Sequence, residues 1–129
     1  MEIFEILSEE DIVRARMAAR TTAEKLGFSI VDKTRIATAV SELARNVYNH
    51  GGGGRMEIEK IREGKKSGIR CIFTDQGRGI PDIEQAMGDG FSTGNGLGQG
   101  LPGSKRLMDN LKIESQIGKG TRVEIVKWK

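Results

Sequence analysis

The chain has 129 residues, a length for one domain with a real core rather than for a catalytic domain plus a transducer. Its 21 basic and 18 acidic residues are well mixed, for a formal charge of +3, and no lysine/arginine run with interleaved aromatics points to nucleic acid. The single cysteine, Cys71, excludes an intramolecular disulfide or a cysteine metal cluster. With no signal peptide pattern and no apolar run of about 18 residues, the expected place is cytoplasmic, away from any membrane.

"EIFEIL" reads as a short first strand. A helix follows, opened by Ser8 and Asp11 as a capping-box variant and closed at Gly27, with Ile12, Ala15, Ala19, Ala23 and Leu26 at helical spacing. A second helix is expected from about Asp32, as its N-cap, to about Asn49, with Ile36, Val40, Leu43 and Val47 as its core stripe. The run Gly51 to Gly54 ends it. "RMEIEKIRE" and "IRCIFTD" alternate as strands joined by the hairpin-like "GKKSG", and Cys71 falls in the second as a small core residue. Residues 76–100 are rich in glycine and weak in periodicity, and only "PDIEQAM" within them looks helical. "LPGSKRLMDNL" reads as a third helix, starting at Pro102 because proline is tolerated in a first turn. "KIESQ", a turn "IGKG" and "TRVEIVKW" form a closing hairpin. With no repeat and no linker, paired strands and two early helices predict an α+β two-layer sandwich in a single domain, 1–129.

Glycine makes up 18 residues, about twice the usual share. In "GNGLGQGLPG" it produces a literal G-x-G-x-x-G at Gly98, Gly100 and Gly103. The dinucleotide reading of that match fails on context: "MGDGFST" before it is not a strand, and too little chain follows for a βαβ unit. No G-x-x-x-x-G-K-[ST] occurs, so a phosphate loop of that type is also excluded, and the kinase glycine loop lacks its V-A-I-K strand. What remains is a glycine-rich segment running into a helix N-terminus, where unpaired N–H groups and the helix dipole favour an anion. A merely flexible surface loop is the alternative.

Three further features carry chemistry. Glu42 and Asn46 in "SELARN" are four residues apart on one face of the second helix, and Asn49 extends that face. An amide oxygen suits Mg²⁺, which keeps waters and phosphate oxygens as its other ligands, and a nearby carboxylate can take a proton from an attacking hydroxyl. "DQGRGI" puts Asp75 at a strand end before Gly77, Gly79 and Ile80. A carboxylate there accepts from the exocyclic amino group of adenine and repels a carbonyl in that place. "GKGT", ending at Thr121, is a tight turn into the last strand. Each feature alone also reads as ordinary surface or turn chemistry.

In order, E-x-x-x-N on a helix, D-x-G-x-G-I after a strand, G-x-G-x-G-L before a helix and G-x-G-T before a strand resemble the GHKL ATPase superfamily, from about Ile12 to Lys127. That resemblance implies a Bergerat fold, a mixed and mostly antiparallel sheet covered on one face by helices. It implies ATP and Mg²⁺ as cofactors, with Asn46 as the metal ligand and Glu42 as the catalytic base. Asp75 would take the adenine amino group, with Thr121 helping. Gly77 and Gly79, followed by Ile80, would let the base lie close to the backbone. Gly96, Leu97, Gly98, Gly100 and Leu101 would hinge a lid (about residues 84–95) and cradle phosphates, with the helix start around Leu101 to Ser104 supplying donors. Lys105 and Arg106 read first as a solvated helix face. His50, the only histidine, reads as a helix-end residue.

Length separates the chain from members with a second domain or an upstream acceptor-histidine hairpin. It is similar to the free-standing serine kinases of bacterial partner switching, and "GLGQGLPG" with the ending "IVKW" resembles the RsbT type of stressosome switch kinase. The resemblance implies a serine/threonine kinase acting on a STAS-domain scaffold or antagonist. After release it would bind and activate a PP2C-type phosphatase regulator. A homodimer is compatible with this. An anti-sigma factor kinase that sequesters a sigma factor, and a non-catalytic ATP-gated binding module, are the alternatives.

Overall fold

The computed structural model describes residues 1–77 and 97–129, the side chains of 97–100 excepted. The segment "PDIEQAM", the lid region 84–95, and Gly79, Ile80 and Gly96 lie outside the described residues. Strand β1 (Glu2–Ile6) leads into helices α1 (Glu9–Leu26) and α2 (Ile30–Asn49). Strands β2 (Gly54–Glu63) and β3 (Lys66–Asp75) follow, then α3 (Leu97–Leu107), β4 (Asn110–Gln116) and β5 (Gly120–Trp128). The five strands form one sheet in the order β1-β2-β3-β5-β4. All four pairings are antiparallel, so the parallel component expected of a mixed sheet is absent among the described residues.

Local chemistry fixes the helix ends. At α1 the Ser8 hydroxyl accepts from the Asp11 amide at 3.3 Å, while the Asp11 carboxylate accepts from the Leu7 amide at 2.9 Å. Two orphan donors are thereby satisfied reciprocally. Gly27 closes the helix with φ 87°, a conformation that costs a residue with a Cβ. The start of α2 differs from the sequence expectation. Ser29 is the N-cap, accepting from the Asp32 amide at 3.1 Å, and Asp32 stands in the first turn, where its charge complements the helix dipole.

The third helix differs more. It begins at Leu97 rather than Pro102, and Pro102 sits in its interior without an N–H to offer the carbonyl of Gly98. It also stops earlier, at Leu107, and Leu111 belongs to β4. Packing against α2 is the physical reason: Leu101 is 1% exposed and seated in the core, which holds the turns on both sides of the proline.

Alternation along the sheet separates two faces. Ile58, Ile69, Cys71, Phe73, Val123 and Ile125 turn inward with Ile6 and Met56. From above they meet Ile12, Ala15, Ala19 and Ala23 of α1 and Ile36, Val40, Leu43 and Val47 of α2. The expected stripes are thus the observed ones, except that Leu26 is only partly buried at the edge of the core. Cys71 is fully buried, which pushes its thiol up to about 12.

Candidate functional site

Asp75 continues the inward row of Ile69, Cys71 and Phe73 past the edge of the apolar core. It lies in register with Gly54 on one side and Thr121 on the other, and Thr121 in turn pairs with Ser115. The end of the sheet therefore carries a cross-strand row of Gly54, Asp75, Thr121 and Ser115. Strand pairing alone converges these residues from four strands.

The carboxylate is half-buried, and loss of solvation pushes its pKa up; facing N–H groups of Gly77 and Thr121 pull it partly back. The Gly77 amide donates to Oδ1 at 2.9 Å. Oδ1 is thus occupied by the chain. Ser115 donates its hydroxyl hydrogen to the Gly120 carbonyl at 3.1 Å, and its oxygen lies 2.9 Å from Thr121 Oγ1. Either hydroxyl of that pair can donate, and Thr121 Oγ1 keeps a lone pair as an acceptor in both cases. An open cavity of about 570 Å³ adjoins this row, lined by Thr74, Asp75, Ser115 and Thr121 among others.

Glycine carries the close approaches here. A Cβ on Gly120 would stand 2.1 Å from the Asp75 carbonyl oxygen, and one on Gly51 would stand 2.5 Å from both Cβ and Cγ of Asp75. Sequence reasoning took Gly51 only as the end of a helix, and it missed Ser115. The signal for Ser115 was available in the alternation of "KIESQ", which sets it opposite Thr121. Nothing local marks Gly51, because its contact is with a residue 24 positions away.

Helix α2 brings the second half of the site. Glu42 is exposed and Asn46 is partly buried one turn later. The Asn46 side-chain nitrogen is buried with no hydrogen-bond partner among the described residues. An amide so placed lacks the partner that burial ordinarily demands, and rotation by 180° presents its oxygen instead. It therefore fits a ligand, through either atom. Among the described residues no group of three or more His, Cys, Asp or Glu could hold a metal alone. The donor set suits a cation held by one amide oxygen and completed by phosphates and water.

The backbone carbonyl of Asn46 accepts from both His50, at 2.9 Å, and Gly51, at 3.2 Å. His50 is the C-cap of α2, as its sequence position suggests. The turn it begins places Gly51 against Asp75, so Asn46 and Asp75 are brought to one corner of the molecule by a few hydrogen bonds.

The glycine-rich helix start is repositioned. Since α3 begins at Leu97, the N–H groups without an intrahelical partner belong to residues 97–100, including Leu97, Gly98 and Gly100, and those of Leu101, Gly103 and Ser104 fall inside the helix. Ser104 has a fully buried hydroxyl with no partner among the described residues. Lys105 and Arg106 are exposed.

The family model described as "Histidine kinase-, DNA gyrase B-, and HSP90-like ATPase" matches residues 31–129. The serine/threonine-protein kinase RsbT of Bacillus subtilis (strain 168) is 52% identical over 123 residues, covering 95% of this chain and 92% of its own length. The anti-sigma F factor of Thermoanaerobacter sp. (strain X514) is 37% identical over 120 residues, 88% of this chain and 82% of its own. Among solved structures, the mycobacterial sensor histidine kinase MprB shares the fold with a TM-score of 0.58 at 20% identity, over 98% of this chain and 96% of that one.

Proposed function

Because this chain belongs to the histidine kinase-, DNA gyrase B- and HSP90-like ATPase family and is an ATP-dependent serine/threonine protein kinase of partner switching, we propose that its acceptor is a serine or threonine on a STAS-domain scaffold or antagonist. Once released from that partner, the kinase binds and activates a PP2C-type phosphatase regulator. The observation that carries this reading is 52% identity, across 95% of the chain, to a serine/threonine kinase.

In this reading Asp75 accepts from the adenine amino group through Oδ2, Oδ1 being held by Gly77. Thr121 offers a further acceptor. Asn46 holds Mg²⁺ by its amide oxygen. Bound there with ATP, Mg²⁺ neutralises charge on the β- and γ-phosphates. The first-turn N–H groups at residues 97–100 face phosphate, with Gly96 before them; no Cβ intervenes at Gly98 or Gly100. The roles expected of Gly79 and Ile80 at the base, and of residues 84–95 as a lid, fall outside the described residues. Glu42, exposed beside Asn46, orients or deprotonates the incoming hydroxyl. A protein acceptor has access to Glu42 because that carboxylate lies at the surface of α2.

The kinase and its candidate STAS partner, incubated with Mg-ATP, should give one phosphate on a serine or threonine of the partner. ATP binding without transfer to any STAS partner would favour a non-catalytic module. The 37% identity to an anti-sigma F factor supports a second reading, a kinase that sequesters a sigma factor. Stoichiometric capture of a sigma factor by the purified chain would select it.

A further inference from the structure

We infer that Gly51 is a positioning residue for base recognition: its missing side chain is the slot that keeps Oδ2 of Asp75 open to the ligand. The inference rests on the assignment of Asp75 as the adenine acceptor. It goes beyond that assignment because Gly51 belongs to none of the four sequence boxes.

The geometry is specific. A Cβ built on Gly51 meets Asp75 Cβ and Cγ at 2.5 Å and Oδ2 at 2.8 Å. All three are below any distance a real Cβ tolerates, so one side must move. The backbone at Gly51 resists movement, because its amide donates to the carbonyls of Asn46 at 3.2 Å and Val47 at 3.1 Å. The neighbouring Gly54 is equally pinned, since a Cβ there would stand 2.1 Å from the Thr74 carbonyl oxygen. On the far side, Gly77 has its own Cβ position filled by Gly51 Cα at 2.7 Å. The Asp75 main chain is fixed in register with Gly54 and Thr121. Rotation of the carboxylate alone cannot relieve the contact with Asp75 Cβ, so the end of β3 would have to shift and carry the carboxylate with it. A methyl at residue 51 would thereby draw it off the Gly77 amide or cover Oδ2.

Gly51 has no ordinary need of glycine apart from this contact. No left-handed φ occurs there, in contrast to Gly52 at 71° and Gly53 at 108°. Its requirement is for space, and the space is that beside the carboxylate.

The test measures affinity for ATP, GTP and Mg²⁺-tripolyphosphate by calorimetry in wild type, Gly51→Ala, Asp75→Asn and the double variant. Gly51→Ala should weaken ATP by about tenfold or more, as expected for a lost charge-assisted hydrogen bond. The ATP:GTP preference should collapse toward that of Asp75→Asn, and tripolyphosphate, which has no base, should bind as in wild type. The double variant should bind ATP no more weakly than Asp75→Asn alone, since one residue acts through the other. Wild-type ATP preference in Gly51→Ala, a parallel loss of tripolyphosphate, or additive losses would overturn the inference. If Asp75→Asn itself keeps the wild-type preference, the adenine assignment fails. If Asp75→Asn is impaired and Gly51→Ala is not, only the role of Gly51 fails. Loss of the cooperative melt in Gly51→Ala would also overturn the inference, because the glycine would then serve the fold rather than base recognition.

Discussion

The carbonyl of Asn46 accepts the Gly51 amide at 3.2 Å, so the Asn46 side chain and the glycine against Asp75 ride on a single turn. In the proposed function, base recognition and phosphate chemistry thereby share one corner. The site places an incompletely compensated carboxylate at the sheet end, because Asp75 is half-buried and its pKa is raised by desolvation. Replacing it removes that cost along with the proposed adenine contact. In Asp75→Asn the melting temperature of the nucleotide-free protein should equal or exceed wild type, while added Mg-ATP should no longer raise it. Thermal melts with and without nucleotide read both effects, since a ligand stabilises only the state that binds it.

The same carboxylate sets a pH dependence. Its folded pKa lies above the unfolded value, so in the free protein its contribution to stability is fully present below the unfolded pKa and is lost as pH rises through the folded one. Nucleotide binding makes the opposite demand, because the acceptor must be ionised. The ATP-induced rise in melting temperature should therefore shrink as pH falls from neutrality, and the midpoint should lie above the ordinary aspartate value of about 3.9. In Asp75→Asn that titration should vanish. Asp11 behaves in reverse: a backbone hydrogen bond from Leu7 lowers its pKa, so its stabilisation is lost as pH falls through that lowered value.

The proposed role of Asn46 separates metal from base. Asn46→Ala should remove the Mg²⁺-dependent increment of ATP affinity and leave metal-free ATP binding near wild type. Titrations with Mg²⁺ and with EDTA distinguish the two contributions. The apo fold should tolerate the change, because a buried amide nitrogen without a partner among the described residues contributes little to it.

The legible part of the molecule was the periodic part. Ile36, Val40, Leu43 and Val47 announce their helix face, and Ser8 with Gly27 mark both ends of α1, because these signals are local. Asp75 and Thr121 were legible as members of separate motifs, while their pairing in register is a property of the sheet. The helix start at Leu97 was not legible. Proline's local preference pointed to residue 102, and packing of Leu101 against α2 overrode it. Ser29 was passed over for Asp32 because both residue types cap well, and only the hydroxyl-to-amide contact decides.

Lys127 shows what pattern alone misreads. Alternation in "TRVEIVKW" turns it inward with Val123 and Ile125, an improbable place for an ammonium group. It is 8% exposed, donates to the Leu107 carbonyl at 3.1 Å, and lies 3.5 Å from Asp109 Oδ1 and 3.9 Å from Asp32 Oδ1. One cation thus ties the end of α3 and the first turn of α2 to β5. Lys127→Met keeps much of the stem but leaves a helix-end carbonyl and two carboxylates without it. Denaturant unfolding should show a loss of about 1–3 kcal/mol, with ATP affinity unchanged in the folded protein.

In the proposed mechanism this fold transfers phosphate to a protein hydroxyl with Glu42 beside Asn46. Single-turnover transfer from Mg-ATP to the STAS partner, with the acceptor mapped by mass spectrometry, tests it most directly. Wild type should phosphorylate one serine or threonine, and Glu42→Gln should slow that step by about 10²–10⁴-fold while binding ATP normally. Transfer by Glu42→Gln at the wild-type rate would remove Glu42 from that role, and phosphate appearing on histidine instead of a hydroxyl residue would rule out hydroxyl transfer.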